Sequence, residues 1–264
     1  MAIIGLDGWI AAPKQRVVFK KTAAVTSVAL IWSSVFAAAG NPGAGTLAIG
    51  NTANGLVPTD ATAGYPIINA FGGSSTGYLG RAAFSNSVLS RIRLYDRVFA
   101  AGAYAFNAAT TLTSQPSYAG RMPGSLYNGT EIWIETVTAF TLNLSVAVTY
   151  TNQDGTTGRT TGTVATGAAL IVGRCLQLPL QAGDSGVQKI ESVTGTVASA
   201  GTFNVMVLRP LDSERIAVAN EQKTHDFLAT GMPQVYADSA LYSLVNADST
   251  STGLPDCEFD VVNG

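Results

Sequence analysis

The feature that most constrains this chain is a series of short runs in which apolar residues recur at every second position. The clearest is residues 142–150, where Leu142, Leu144, Val146 and Val148 fall on one face. That period of two is the mark of a half-buried strand. The polar stretch Thr151-Asn152-Gln153-Asp154-Gly155-Thr156-Thr157-Gly158 follows, and residues 159–164 return, so the pair reads as a hairpin. Residues 16–20 read as a strand with Val17 and Phe19 together. In residues 88–96, Ile92 and Leu94 face one way, and Arg91, Arg93 and Tyr95 the other. In residues 131–135, Ile132 and Ile134 lie opposite Trp133. Residues 176–180, 187–194, 201–209 and 257–262 continue the set, and 240–245 reads as a strand that rejoins the main sheet. Short alternating strands between Gly, Asn and Asp turns predict a mainly β fold, an antiparallel β-sandwich or jelly-roll-like body.

Around that body the chain divides into three stretches. Residues 1–86 hold N-terminal strands and an extended, irregular Gly/Pro/Asn-rich arm region. Residues 87–211 are the β-sandwich body. Residues 212–264 are a C-terminal segment with a charged linker and closing strands. The arm is carried by residues 40–80, with turn formers at Asn41-Pro42-Gly43, Asn54-Gly55 and Pro58-Thr59-Asp60. So long an irregular stretch is uncommon inside a compact domain and suits a segment lying along a neighbouring subunit, or a surface Ω-loop. Ile67, Ile68, Phe71 and Leu79 give it apolar groups to bury, unlike a disordered tail. Residues 22–39 follow Lys20-Lys21 and end in small residues, like a signal peptide. A long mixed segment precedes them and Thr26, Ser27, Ser33 and Ser34 dilute them, so buried strand or helix is the stronger reading.

Charge and chemistry narrow the function. Charged residues are 12% of the chain, about half the usual share, so much of the surface is expected to face protein rather than water. A net charge of −2 disfavours direct nucleic-acid contact, which needs a Lys/Arg excess. No membrane partner is expected either. The single histidine, His225, reads as a surface residue of the charged segment, and no Gly-x-Ser-x-Gly elbow accompanies it. Cys175 and Cys257 are far apart and read as buried free thiols; with His225 they make no zinc set. Glu131 with Glu135, and Asp256 with Glu258 and Asp260, are same-face carboxylates of the kind common on solvated strands. Asn128 and Asn143 begin glycosylation sequons, the second within a strand. Trp133, Tyr127, Tyr118 and Tyr104 are candidates for a sugar platform, though core packing is the commoner role for such rings. No catalytic, cofactor-binding or metal-binding residues are expected, and no cofactor.

Several segments carry a resemblance: Leu94-Tyr95-Asp96-Arg97, Glu131-Ile132-Trp133-Ile134-Glu135, residues 148–160, residues 179–187, Ser192-Val193-Thr194, and Gly231-Met232-Pro233-Gln234-Val235-Tyr236-Ala237-Asp238. In this order they resemble a family of structural virion proteins of tailed double-stranded DNA bacteriophages, of the capsid decoration or cement kind. The likeness spans most of the chain and is weakest over residues 1–40. It implies a virion location and a β fold. A compact β-body with an arm-like tract at residues 40–80 then suits a decoration protein on the shell, with the major capsid protein as partner and self-association, as a trimer. The acidic balance puts the protein on the capsid exterior, after synthesis in the host cytoplasm. The alternative is a tail or head-surface adhesin for a host receptor or glycan.

Overall fold

A computed structural model describes residues 6–71, 76–105, 107, 109–140, 145–165, 171–195 and 200–263. Along the chain come α1 (Leu6–Ala11), β1 (Lys14–Lys21), β2 (Trp32–Ser34), β3 (Gly40–Asn41), β4 (Asn51–Leu56), β5 (Thr76–Ser85) and β6 (Ser90–Ala105). There follow β7 (Ala109–Thr111), β8 (Glu131–Thr138), β9 (Ser145–Asn152), β10 (Arg159–Thr160), β11 (Val164–Ala165) and β12 (Cys175–Leu178). The last are β13 (Val187–Gly195), β14 (Thr202–Ile216), β15 (Lys223–His225), α2 (Phe227–Thr230), β16 (Gln234–Tyr236), β17 (Leu241–Ala247) and β18 (Asp256–Asn263). The fold is mainly β, as the alternation predicts, and the strand pairings are antiparallel.

Among the described residues the strands make three sheets. A seven-stranded sheet has the order β12-β8-β14-β6-β17-β2, with β4 also on β6. A six-stranded sheet runs β15-β5-β18-β1-β3, with β16 also on β5; a five-stranded one runs β10-β9-β13-β7, with β11 also on β9. The seven-stranded sheet is the common wall. Ile132, Ile134, Phe203, Val205 and Val207 pack with Val146, Val148, Ile190 and Val193 of the five-stranded sheet. Further along, Ile92, Leu94, Leu211 and Val245 pack with Val17, Phe19, Phe84 and Phe259 of the six-stranded sheet. These are two sandwiches built on one wall.

The wall can do this because β6 and β14 are long, and bulges let them keep both cores supplied. Val207 pairs with Phe99 and Leu208 with Arg97, which leaves Val98 as the extra residue. A bulge bends the strand and resets its alternation, so Val98 and Phe99 both enter the first core.

The opposite face of the wall carries Tyr95, Trp133, Met206, Leu208, Tyr242 and Leu244. It is roofed by the irregular stretch: Phe36 and Tyr65 pack into this third core, with Trp32 and Leu47 against it. Residues 42–71 are irregular here too apart from the short β4, but Leu47 and Tyr65 lay them over the chain's own sheet, and residues 76–80 begin β5. Phe36 is the clasp. A Cβ on Gly45 or Gly64 would lie 2.2 Å and 2.4 Å from its ring, so only glycine fits at either position. Lys21, itself buried, donates from Nζ to the carbonyls of Ala38 and Pro42 and pins the start of the tract. The accessible surface is 10545 Å². Size scaling for a folded chain of 27.2 kDa gives about 10,900 Å², so among the described residues no long segment stands away from the body.

The hairpin read at residues 142–164 is present as β9 with β10 and β11. Val146 and Val148 are buried, whereas Leu142, Leu144 and the Asn143 sequon lie outside the described residues. Residues 22–40 contain the short strand β2, the first residue of β3 and no helix. Residues 240–245 do rejoin the main sheet, as β17 on β6. The charged segment from Asp212 begins as the end of β14 and closes as β15.

Candidate functional site

The sequence directs attention to the carboxylates, the histidine, the thiols and the aromatics, and the structure uses nearly all of them internally. Glu135 is a correction to the solvated-strand expectation, because it is fully buried. It accepts from Tyr242 Oη at 2.7 Å and from Asn204 Nδ2 at 3.1 Å, and lies 3.5 Å from Arg97 Nη2. Arg97 also donates to Tyr65 Oη and sits over the rings of Phe36 and Tyr242. A charge taken out of water survives only when paired and hydrogen-bonded; here the wall supplies one partner and the roof another. Glu131, two positions before Trp133, accepts from Tyr95 Oη and Trp133 Nε1.

A second buried cluster surrounds Asp96. Alternation puts Asp96 beside Ile92 and Leu94, and Arg209 between Val207 of the first core and Leu211 of the second. The two residues face each other across β6 and β14. Arg209 Nη2 reaches Asp96 Oδ2 at 3.0 Å, Arg121 Nη2 donates to Oδ1, Ser239 Oγ donates to Oδ2 at 2.9 Å, and Ala240 N donates to Oδ1 at 3.0 Å. Arg121 also donates to the carbonyls of Pro58 and Arg97, which ties the roof to the seam. Burial pulls Arg121 and Arg209 down to about 10, so both remain cations at neutral pH. This carboxylate is enclosed by donors and out of a solvent-borne molecule's reach. It plugs the line where the wall passes from one core to the other.

His225 also departs from expectation. It is half-buried, not a free surface residue. Its Nδ1 lies 2.9 Å from Asp212 Oδ2 and its Nε2 2.6 Å from Glu214 Oε2. Burial opposes its charge, but hydrogen bonds to the two carboxylates outweigh that and raise its pKa. Burial likewise raises Asp212. With both nitrogens engaged, His225 ties β15 to the end of β14.

On the six-stranded sheet Asp256, Glu258 and Asp260 do form the expected same-face row. Lys20 pairs with Asp256, and Arg16 and Arg81 both reach Glu258 and Asp260. Between β12 and β13, Asp184 accepts from three hairpin residues: Tyr150 Oη at 2.6 Å, Asn152 Nδ2 at 2.8 Å and Arg159 Nε at 2.9 Å. These bonds, Arg159's first, hold its carboxyl down at about 2. Cys175 and Cys257 are free and buried in different cores, as expected, and burial pushes Cys257 up to about 12. Trp133, Tyr127, Tyr118 and Tyr104 are all inside the cores. No group of three or more His, Cys, Asp or Glu among the described residues could hold a metal ion, and no described helix is long and apolar enough to cross a membrane.

What the sequence reading missed is on the outside. Leu30, Ile67 and Leu228 are more than two-thirds exposed, and Leu6, Ile10, Leu126 and Val218 more than half. Arg91 and Arg215 face each other across β6 and β14, both exposed. No family model matches the chain, and no curated protein does. Among solved structures, the VP2 protein of infectious bursal disease virus shows a faint likeness. A mutant VP2 in derived T=1 particles gives a TM-score of 0.17 at 9% identity, covering 95% of this chain and 77% of that one. A VP2 subviral particle gives 0.19 at 8% identity, covering 95% and 80%. Values this low carry no argument about fold or function.

Proposed function

We propose that this chain is a structural virion protein of a tailed bacteriophage, a decoration or cement protein on the outer face of the shell. It stabilises the shell through protein–protein contacts, with the major capsid protein beneath it and with further copies of itself as a trimer. The observation that carries this reading is the pairing of low surface charge with large apolar side chains left in solvent. Single exposed apolar residues are ordinary. Here Leu30, Ile67, Leu126 and Leu228 stand out on a chain with only 12% charged residues. That surface is suited to being covered. The buried ionisable clusters support the same reading, because each is closed on its own partners and offers nothing to a substrate. The resemblance of residues 94–97, 131–135 and 148–160 to phage virion proteins supports it independently. The adhesin reading loses its four candidate rings to the cores.

Particles assembled without the protein test the proposal. They should release their DNA at a lower temperature, and after milder osmotic shock, than particles that carry it. Equal resistance in the two preparations contradicts a cementing role.

A further inference from the structure

The wall face that bears Trp133 and Tyr242 is roofed only in part. Towards the start of β6 it opens to solvent, and one cross-strand row runs Arg215, Arg91, Asn246, Trp32 over β14, β6, β17 and β2. Arg93, in the next row, is occupied: it lies 4.6 Å over the Trp32 ring and donates to Tyr95 Oη. Arg16, Arg81, Arg97, Arg121, Arg159 and Arg209 all have carboxylate partners. Arg91 and Arg215 have none among the described residues. Like charges directly opposite on a sheet oppose folding, so this pair calls for more negative charge than Asp248, the one carboxylate that lines the cleft around it, supplies.

The surroundings have the shape of a receptor. A cleft of about 320 Å³ is lined by Leu30, Leu89, Arg91, Arg215, Asn246 and Asp248 with their neighbours. Asp248 is its one carboxylate against two guanidiniums. Leu30 is 71% exposed and Leu89 44%. Leu30 holds φ of 63°, a conformation that costs a leucine energy. It is fixed there by its N–H to the Ala247 carbonyl at 2.7 Å and by Asn246 Nδ2 to its own carbonyl at 2.9 Å. An apolar side chain held in solvent by a strained, doubly bonded backbone is preorganised for contact.

We infer that this cleft docks an acidic segment of a partner polypeptide, with a carboxylate bridging Arg91 and Arg215 and an apolar side chain seated on Leu30 and Leu89. Paired guanidiniums match carboxylate geometry, and the desolvated apolar contact beside them supplies the hold. The inference rests on the decoration reading only for which protein supplies the segment, namely the shell subunit.

The test uses the purified full chain and a synthetic peptide of alternating glutamate and leucine, followed by titration calorimetry. The peptide should bind, more weakly in high salt, and its lysine–leucine counterpart should not. The Arg91→Gln/Arg215→Gln double variant should weaken binding by roughly tenfold or more, with a melting temperature equal to or above that of the wild type. Leu30→Ser should weaken binding while leaving the salt dependence in place. Equal affinity of the wild type and the double variant overturns the docking cleft. So does sulfate competing as tightly as the peptide, which would reduce it to a simple anion site. Particle decoration separates the two claims. A double variant that decorates particles fully overturns the cleft and leaves the decoration reading; wild-type protein absent from particles does the reverse.

Discussion

Asp96 shows at the scale of one residue how this chain uses charge. One carboxylate receives two arginines, a serine and a backbone N–H, all inside the protein. Removing one member of such a set strands the others without water or partner. Asp96→Asn is therefore expected to cost about 3–5 kcal/mol in urea denaturation, far more than loss of any ion pair in the half-buried row of β18. A cost near zero would mean that Arg121 and Arg209 find other partners. Asp184 makes a prediction in pH. Its carboxyl is held at about 2 by Arg159, Asn152 and Tyr150, below the usual carboxylate value. Its contribution is therefore fully present above pH ~4 and lost as pH falls towards 2. Asp184→Asn should remove about one proton of acid-side uptake from the stability profile in that window, measurable by denaturation at a series of pH values. Neither carboxylate stood out in the sequence. In Leu94-Tyr95-Asp96-Arg97-Val98-Phe99 both faces of the strand are rich in large apolar groups. That density is the signal of two-sided burial, and it places Asp96 and Arg97 indoors.

At the scale of elements, the strands with regular alternation were legible and the covering tract was not. β1, β9 and β18 bury the residues that alternation selects, because each has one face on a core and the period of two follows directly; in β8 the alternation sorts Ile132 and Ile134 from Trp133, and both faces are buried. The tract over residues 40–66 has no period. What it covers depends on Phe36 meeting Gly45 and Gly64, contacts that no spacing rule encodes. Arg91 and Arg215 were equally hidden, since their opposition depends on the bulged register of β6 on β14. The clasp is testable. Phe36→Ala removes the ring that Tyr65, Tyr242 and Arg97 pack on. It should cost about 3–5 kcal/mol and should open residues 40–64 to limited proteolysis while the sheets stay intact. Unchanged protease resistance would mean that the roof is held by its polar ties, through Lys21, Arg97, Arg121 and Asn204, without the ring.

At the scale of the molecule, two sandwiches share one wall, a tract roofs the wall's other face, and the seam between the cores is locked by buried charge. Such a body is rigid, and its remaining resource is its surface: few charges, several exposed apolar side chains and one unanswered arginine pair. On the proposed reading, a body with that surface does its work by being covered. The fold class was readable from residues alone. The proposed address on a phage particle rests on the resemblance and the acidic balance of the chain. Copy number in purified particles, by quantitative mass spectrometry against the major capsid protein, tests it most directly. Decoration of a closed symmetric shell predicts on the order of hundreds of copies per particle, in fixed ratio to the shell subunit; a handful of copies, or none, would contradict it.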